Sequence, residues 1–483
     1  MSVAPTHRER PGVVDLIRAA GAGRAHLYAV QEGSPSAAPA AGAGSIAVAE
    51  IPSVVSAGLQ VPTLDGGTVE YANFDHGAST PAFTAVKVAV DTATRTYSSV
   101  HRGKGWASHV SSAWYEAARE EVAAFIGARD GDSVIFTRNT TDSFNLLARA
   151  LPRDTVVFVF STDHHATILP WAARRTVRLE VPGSPQDAEI LLDEALRTRR
   201  ATNRLVVLTG ASNVTGELWP VAALTAIARR HGARVALDAA QLAPHAPVDL
   251  AALDVDYLAF SGHKLYAPYG TGVLAGRSDW LDAAAPYLAG GGATAAVTPE
   301  STTWHTGAAR HEGGSPNVLG AVALAAACAT IRRSRRAIEA HEARLGARLS
   351  EGLRAIDGVR TYSIFGDTHE RVAVVTFTLD GLDSGLVAAA LSAEHGIGVR
   401  DGKFCAHILV DALLEERPYA ASVPTTAVRV SAGLGNTDAH VERLVSAVAD
   451  LVANGPRAAY EIAEGRGWVP VEDTRDVEPP LPW

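Results

Sequence analysis

Lysine occurs in this 483-residue chain only at Lys87, Lys104, Lys264 and Lys403; arginine carries the rest of the basic charge. Lys264 stands in "FSGHKLYAPYGTGVL", residues 260–274, where a short apolar run ends in Ser261, His263 and Lys264. A primary amine at such a place can form an imine with an aldehyde, which a guanidinium cannot. For Lys87 a solvated surface lysine is the plainer reading. Other apolar runs end in polar groups of complementary kinds. "RVALDAAQLAPH" ends in Asp238, with Gln241 three residues on. A carboxylate there either caps a helix or faces a protonated ring nitrogen and keeps that ring electron-withdrawing. "VIFTRNTTDSFN" brings Thr140 and Thr141 to the start of a helical pattern, where hydroxyls and free N–H groups suit a phosphate, or simply cap the helix. "VVFVFSTDHHATILPW" ends in Asp163, His164 and His165. A neutral imidazole there could stack on a planar ring. Metal binding is disfavoured, because adjacent histidines on extended backbone point apart and no Cys/His pair has metal spacing. Taken together these are a phosphate cup, a ring stacker, a pyridinium partner, an oxygen-side donor and an imine-forming lysine. They are the parts of a pyridoxal 5'-phosphate site.

Such groups converge when their strands lie side by side. The runs "SVIF", "TVVFVF", "TVRLEV", "RLVVLTG", "RVALDAA", "DYLAFSG" and "TGVLAG" mostly alternate with helical patterns, which predicts an α/β fold with a mostly parallel central sheet covered on both faces. Ligands of such sheets bind at the carboxyl ends of the strands. The expected organisation is an N-terminal extension over 1–70, a large cofactor-binding domain over 71–339, a smaller C-terminal α/β domain over 340–455, and an acidic, Pro-rich, extended tail over 456–483. A short helix around Val13–Ala20 and a linker at "EGSPSAAPAAGAGS" are expected within the extension. The net charge of -9 and the lack of a basic stripe argue against nucleic acid as a partner. Two cysteines suit a reducing compartment, and the N-terminus lacks the apolar core of a signal peptide. The apolar stretches are too short and Ala-rich for a bilayer, so no membrane partner and a cytoplasmic location are expected.

The motifs "DAAQ", "SGHKLYAPYGTGVL", "STDHHATILPW", "EGGSPN" and "VRDGKFCAH" occur in an order that resembles the class V aminotransferase family, nearest its cysteine desulfurase and selenocysteine lyase branch. The likeness runs from about Asp75 to Val452. It implies a three-layer fold type I transferase working with pyridoxal phosphate. Lys264 would then hold the cofactor and move the substrate Cα proton. Asp238 would pair with the ring nitrogen, Gln241 would donate to the phenolic oxygen, and His164 would stack on the ring. Thr140, Thr141, Ser261 and His263 would hold the phosphate, joined by Ser315 from across a homodimer. His101 and Arg102 in "SSVHRGKG" would also be contributed across the two-fold axis, with an ordinary loop as the plainer alternative. Asn213 matches a position near ring and substrate, Arg400 precedes the cysteine loop, and Arg429 matches the arginine that grips a substrate carboxylate. Cys405 aligns with the nucleophilic cysteine; otherwise it is a small buried hydrophobe. Arg400, Lys403 and His407 nearby would favour its thiolate. Cys328 reads as structural.

The chain departs from the family at Lys403 and Phe404, where histidines are common, and in "NTT" for "GTT" and "DAA" for "DGA". The implied reaction removes sulfur from L-cysteine, or selenium from selenocysteine, leaving a persulfide on Cys405 and releasing L-alanine; the partners implied are a small amino-acid substrate and a sulfur-acceptor protein. Transamination, epimerisation or carbon–sulfur lysis on the same scaffold, or a non-catalytic cofactor-binding scaffold, are the alternatives.

Overall fold

The computed structural model describes residues 50–415 and 424–483. The expected helix near Val13 and the Ala/Pro-rich linker lie outside them. The large unit is built on seven strands: β1 Asp132–Thr137, β2 Thr155–Phe160, β3 Thr176–Leu179, β4 Asn203–Thr209, β5 Arg234–Asp238, β6 Tyr257–Ser261 and β7 Gly272–Arg277. Their spatial order is β1-β7-β6-β5-β4-β2-β3. Strands β2 to β6 are mutually parallel, and β7 runs antiparallel to both of its neighbours. The mostly parallel sheet expected from the sequence is therefore present.

Side chains alternate across a strand, and here both faces are dry. Val156, Phe158 and Phe160 of β2 enter one core with Val206, Leu208, Val235, Leu237 and Phe260. Val157 and Val159 enter the opposite one with Leu205, Val207, Ala236 and Ala259. Helices Pro185–Thr198 and Val221–Arg230 cover the first face through Leu192, Leu196, Leu224 and Ile227. Helix Thr140–Ala150 covers the second through Phe144, Leu146 and Leu147. This makes three layers.

A third core surrounds four antiparallel strands: β8 Val359–Tyr362, β9 Val374–Leu379, β10 Arg400–Gly402 and β11 Ala427–Ser431, in the order β8-β9-β11-β10. Helices Ser384–His395 and Asp438–Asn454 pack on them through Val387, Leu391, Leu444 and Val448. Helix Val318–Arg354, about 55 Å long at ~1.5 Å per residue, serves two of these cores. Its Leu324, Cys328 and Ile331 lie in the first, and its Leu345, Leu349 and Leu353 in the third. The boundary expected at 339/340 falls inside this helix.

Two peripheral stretches differ from expectation. Within the expected extension, Gln60–Pro62 and Thr68–Glu70 form an antiparallel hairpin, and just beyond it Ala72–Asn73 pairs with Ile397–Gly398. This stretch is built onto the smaller unit, since the Leu64 N–H donates to the Ala393 carbonyl. The C-terminal stretch is not merely an extended tail. Tyr460–Ala463 and Gly467–Pro470 form a hairpin whose turn uses Gly465 and Gly467 at φ 72° and 71°. It is anchored where the Trp468 indole donates to Asp383 and the Tyr460 hydroxyl to Glu394.

Candidate active site

A cavity of about 220 Å³ lies at the carboxyl ends of the parallel strands, the place a ligand site is expected in such a sheet. Helix Thr140–Ala150 points its N-terminus at one end of it. Asn139 caps this helix, its side chain accepting from the Asp142 N–H at 3.0 Å. Capping therefore does not occupy Thr140 and Thr141, both of which line the cavity. The Thr140 N–H donates to Ser261 Oγ at 2.8 Å, and the two hydroxyls lie 2.7 Å apart. A Cβ on Gly272 of β7 would lie 2.6 Å from Asn139 Cα, so only glycine permits this close approach of strand and helix. His263 and Lys264 follow β6 in a short turn and line the same end. Burial, followed by the Lys264 charge, lowers the His263 imidazole pKa. Hydroxyls, free N–H groups and the positive end of a helix make an anion site.

Across the middle of the cavity stand His164, Asp238, Gln241 and Lys264. His164 Nδ1 accepts from the Ala166 N–H at 3.0 Å, which leaves the ring proton on Nε2. Burial and then the Lys264 charge hold its pKa near about 3, so the ring is neutral at physiological pH. His165 turns away, as expected for adjacent histidines, and meets the His407 ring edge-on at 4.6 Å. Burial raises the Asp238 pKa, opposed by the Ala240 N–H bond at 2.9 Å and by Lys264. Burial brings the Lys264 amine down to about 8 against the pull of Asp238. Gln241 Nε2 donates to the Gly77 carbonyl at 2.6 Å, so one hydrogen of its amide is engaged within the protein. Behind this wall the buried Asp163 accepts from the Thr209 hydroxyl at 2.9 Å, and burial pushes its pKa up to about 7.

Arg429 closes the third side. Its side chain is 4% exposed, and it donates to the Asn213 carbonyl at 3.0 Å and to Asp75 at 2.9 Å. Its Nε is buried and has no hydrogen-bond partner among the described residues. The guanidinium lies over the Phe404 ring, 5.3 Å from the centroid. Asn213 Nδ2 donates to the Phe404 carbonyl at 2.8 Å. Asn213 thus ties the cysteine loop to Arg429 as well as lining the cavity, a linkage its sequence position did not suggest. Phe404 and Cys405 are consecutive non-glycine residues in the left-handed region, at φ 52° and 55°. Such backbone costs about 1–3 kcal/mol per residue and persists where the surroundings over-determine it. Here the Asn213 bond and the His165 N–H, which donates to the Cys405 carbonyl at 2.8 Å, do so.

Cys405 is exposed and lines the cavity, so it is not the buried hydrophobe of the alternative reading; Cys328 is buried. Of the cations expected around the thiol, Arg400 lines the cavity. Lys403 is instead engaged with Asp411 at 2.5 Å, and His407 packs on His165.

The structure places His101, Arg102 and Ser315 elsewhere. They line a second cavity of about 780 Å³ with Arg119 and Glu312. His101, at φ 65°, bonds Glu116 at 2.8 Å. Residues that sequence reasoning passed over include Asp75, Gly77, Asn139 and Thr209. Asp75 follows the apolar run "YANF", but only the bridge between Asp75 and Ser431 sets it beside Arg429.

An anion site, a buried amine facing a carboxylate, a buried arginine and an open thiol therefore share one cavity. Residues 72–444 match the family model described as aminotransferase class-V. A cysteine desulfurase of Klebsiella pneumoniae is 36% identical over 361 residues, 72% of this chain and 85% of that protein. The apo structure of a cysteine desulfurase from Thermococcus onnurineus superposes with a TM-score of 0.70 at 31% identity, covering 80% of this chain and 95% of that one. A crystal structure of an Escherichia coli cysteine desulfurase in an S-sulfonic acid form gives a TM-score of 0.67 at 31% identity, over 78% of this chain and 94% of that one.

Proposed function

This chain belongs to the class V aminotransferase family, and we propose that it removes sulfur from L-cysteine, or selenium from selenocysteine, and releases L-alanine. The observation that carries the reading is that Cys405 opens onto the same cavity as Lys264, Asp238 and Arg429. The names and coverage of the relatives point the same way.

The donor set fits pyridoxal phosphate. Thr140, Thr141, Ser261 and His263 would hold its phosphate at the helix N-terminus. Asp238 would face its ring nitrogen, His164 would lie on its ring as a neutral imidazole, and Lys264 would be its amine anchor. When bound, that cofactor supplies an electron sink that stabilises negative charge at the substrate Cα.

The protein's own residues do the rest. Arg429, which lines the cavity, would grip the substrate carboxylate with its planar guanidinium. Lys264, whose amine loses its proton more readily than an ordinary lysine, takes the proton from Cα. The Cys405 thiolate attacks the substrate sulfur. A sulfur–sulfur bond forms as the Cβ–sulfur bond breaks, and the electron pair of that bond stays with Cβ, which takes up a proton. The products are L-alanine and a persulfide on Cys405. Exposure of Cys405 suits onward transfer to an acceptor protein. His101, Arg102 and Ser315 would complete the site of the partner in a homodimer, which accounts for their grouping in a cavity of their own.

The test is Cys405→Ala given L-cysteine. Alanine and sulfide release should fall to background, and cysteine-treated wild-type protein should carry one added sulfur atom on Cys405 and none on Cys328. Selenocysteine turnover should suffer much less, because its leaving group departs without a thiolate's help. Full activity of Cys405→Ala on cysteine, with no persulfide, would replace this reading with another class V reaction.

A further inference from the structure

The cavity is walled by groups from different parts of the fold. Thr140, His164, Asp238 and Lys264 come from the strand ends of the seven-stranded sheet, whereas Arg400, Phe404, Cys405 and Arg429 come from β10, β11 and the loop after β10. Chemistry between these walls depends on their placement, since an error of about 1 Å can cost about 10²-fold in rate. One turn, residues 212–218 between β4 and helix Val221–Arg230, joins them. At its front, the Asn213 carbonyl accepts from Arg429 at 3.0 Å, and the Asn213 amide donates to the Phe404 carbonyl at 2.8 Å. At its back it is stitched to β9 and the segment leading into it. The Val372 N–H donates to the Gly216 carbonyl at 2.9 Å, the Leu218 N–H to the Glu370 carbonyl at 2.9 Å, and the Thr376 hydroxyl to the Val214 carbonyl. β9 in turn pairs with β11, with Thr376 opposite Arg429.

Glu217 fastens this turn. It is fully buried, and its Oε2 and Oε1 accept from the consecutive N–H groups of Ile364 and Phe365, each at 2.7 Å. Arg371 Nη2 lies 3.8 Å from Oε1. A buried carboxylate persists only where donors answer it, and here they come from the connection between β8 and β9. The back and front of the turn are coupled through its own backbone. The Ser212 N–H donates to the Glu217 carbonyl at 2.9 Å, and the Gly216 N–H to the Ser212 carbonyl at 3.0 Å, which closes the loop that carries Asn213. Gly216, at φ 75°, permits this closure, because a Cβ there would stand 2.8 Å from the Val372 carbonyl oxygen.

We propose that Glu217 is a positioning residue for the substrate grip: by fastening the 212–218 turn to the β8–β9 connection, it sets where Arg429 and the Phe404–Cys405 loop stand relative to Lys264. The groups of the cofactor wall do not depend on it. The inference rests on the reading of Arg429 as the carboxylate grip, but not on sulfur transfer to Cys405.

The experiment measures two dissociation constants on the full chain: that of pyridoxal phosphate, by equilibrium dialysis, and that of L-alanine for the cofactor-loaded protein, by calorimetry. Alanine carries the α-carboxylate and no sulfur, so failure of the Cys405 chemistry would not affect the outcome. In Glu217→Gln the shape is kept, but an amide NH2 meets one of the two N–H donors and the fastening opens there. The alanine constant should rise about tenfold or more, while the pyridoxal phosphate constant stays within about twofold of the wild type. Thr376→Val, which removes the hydroxyl bonded to the Val214 carbonyl, should shift the ratio of the two constants in the same direction, and it tests the joint should Glu217→Gln fail to fold. Equal weakening of both ligands in either folded variant would make the joint a general prop of the fold and overturn the proposal. So would an unchanged alanine constant. Arg429→Lys tells this failure from that of the underlying reading: it should weaken alanine whatever Glu217 does, and alanine binding indifferent to Arg429→Lys would overturn the carboxylate grip and the inference that rests on it.

Discussion

Burial acts on an amine by penalising its charged form, and the effect can be read from reactivity. Burial brings Lys264 down to about 8 from an ordinary 10.5, while the exposed Lys87 is raised by its bond to Asp91. The neutral, nucleophilic fraction of an amine grows as pH rises through its pKa, so the lower pKa makes Lys264 reactive at lower pH. In cofactor-free protein, amine-directed labelling of Lys264 should show a midpoint near about 8, while Lys87 responds only at higher pH. Asp238→Asn should move the Lys264 midpoint further down, because Asp238 is the largest influence holding the charge on. Mass mapping across pH checks both. A Lys264 midpoint at or above that of Lys87 would mean that desolvation does not govern this amine.

Among the elements, β7 and helix Thr140–Ala150 set the geometry of the anion end. The antiparallel β7 lies between β1 and β6, and Gly272 lets the turn at Asn139 rest directly on its backbone. Gly272→Ala would bring Cβ within 2.6–2.9 Å of the Asn139 backbone, which cannot move without moving the helix start. Overpacking of this kind costs about 1–3 kcal/mol. The expected outcome is a lower melting temperature together with weaker pyridoxal phosphate binding. Gly290→Ala, where a Cβ meets nothing within 4 Å, should leave both unchanged. Equal behaviour of the two variants would show that the close approach is not what positions the anion site. At the other end, the paired left-handed residues Phe404 and Cys405 show the same logic, with local strain kept by contacts from Asn213 and His165.

At the scale of the whole molecule, two sets of residues of one resembling motif pattern fall into two cavities of one chain. Pairing two chains about a two-fold axis would let each complete the other's site. Inactive Lys264→Ala subunits mixed with inactive Ser315→Tyr subunits should then regain partial activity in verified heterodimers, and their failure to do so would count against shared sites. Much of the rest was legible in the sequence. The continuous apolar runs of β2 and β4 need two covered faces, and polar residues at strand ends converge once those strands are parallel neighbours, so Thr140, His164, Asp238 and Lys264 could be placed in one cavity from local pattern alone. The motif order carried Arg429 and Cys405 as well. Other features have no local signature. The Asp75–Arg429 pair joins residues 354 positions apart, and it exists only because a bridge to Ser431 brings an N-terminal turn onto β11. The engagement of Lys403 by Asp411, the link from Asn213 to Phe404 and the separate cavity of His101, Arg102 and Ser315 are likewise tertiary facts. Periodicity and residue type determine which groups a strand end can offer; only long-range packing decides which charges face one another, because that depends on chain segments whose separation no local pattern encodes.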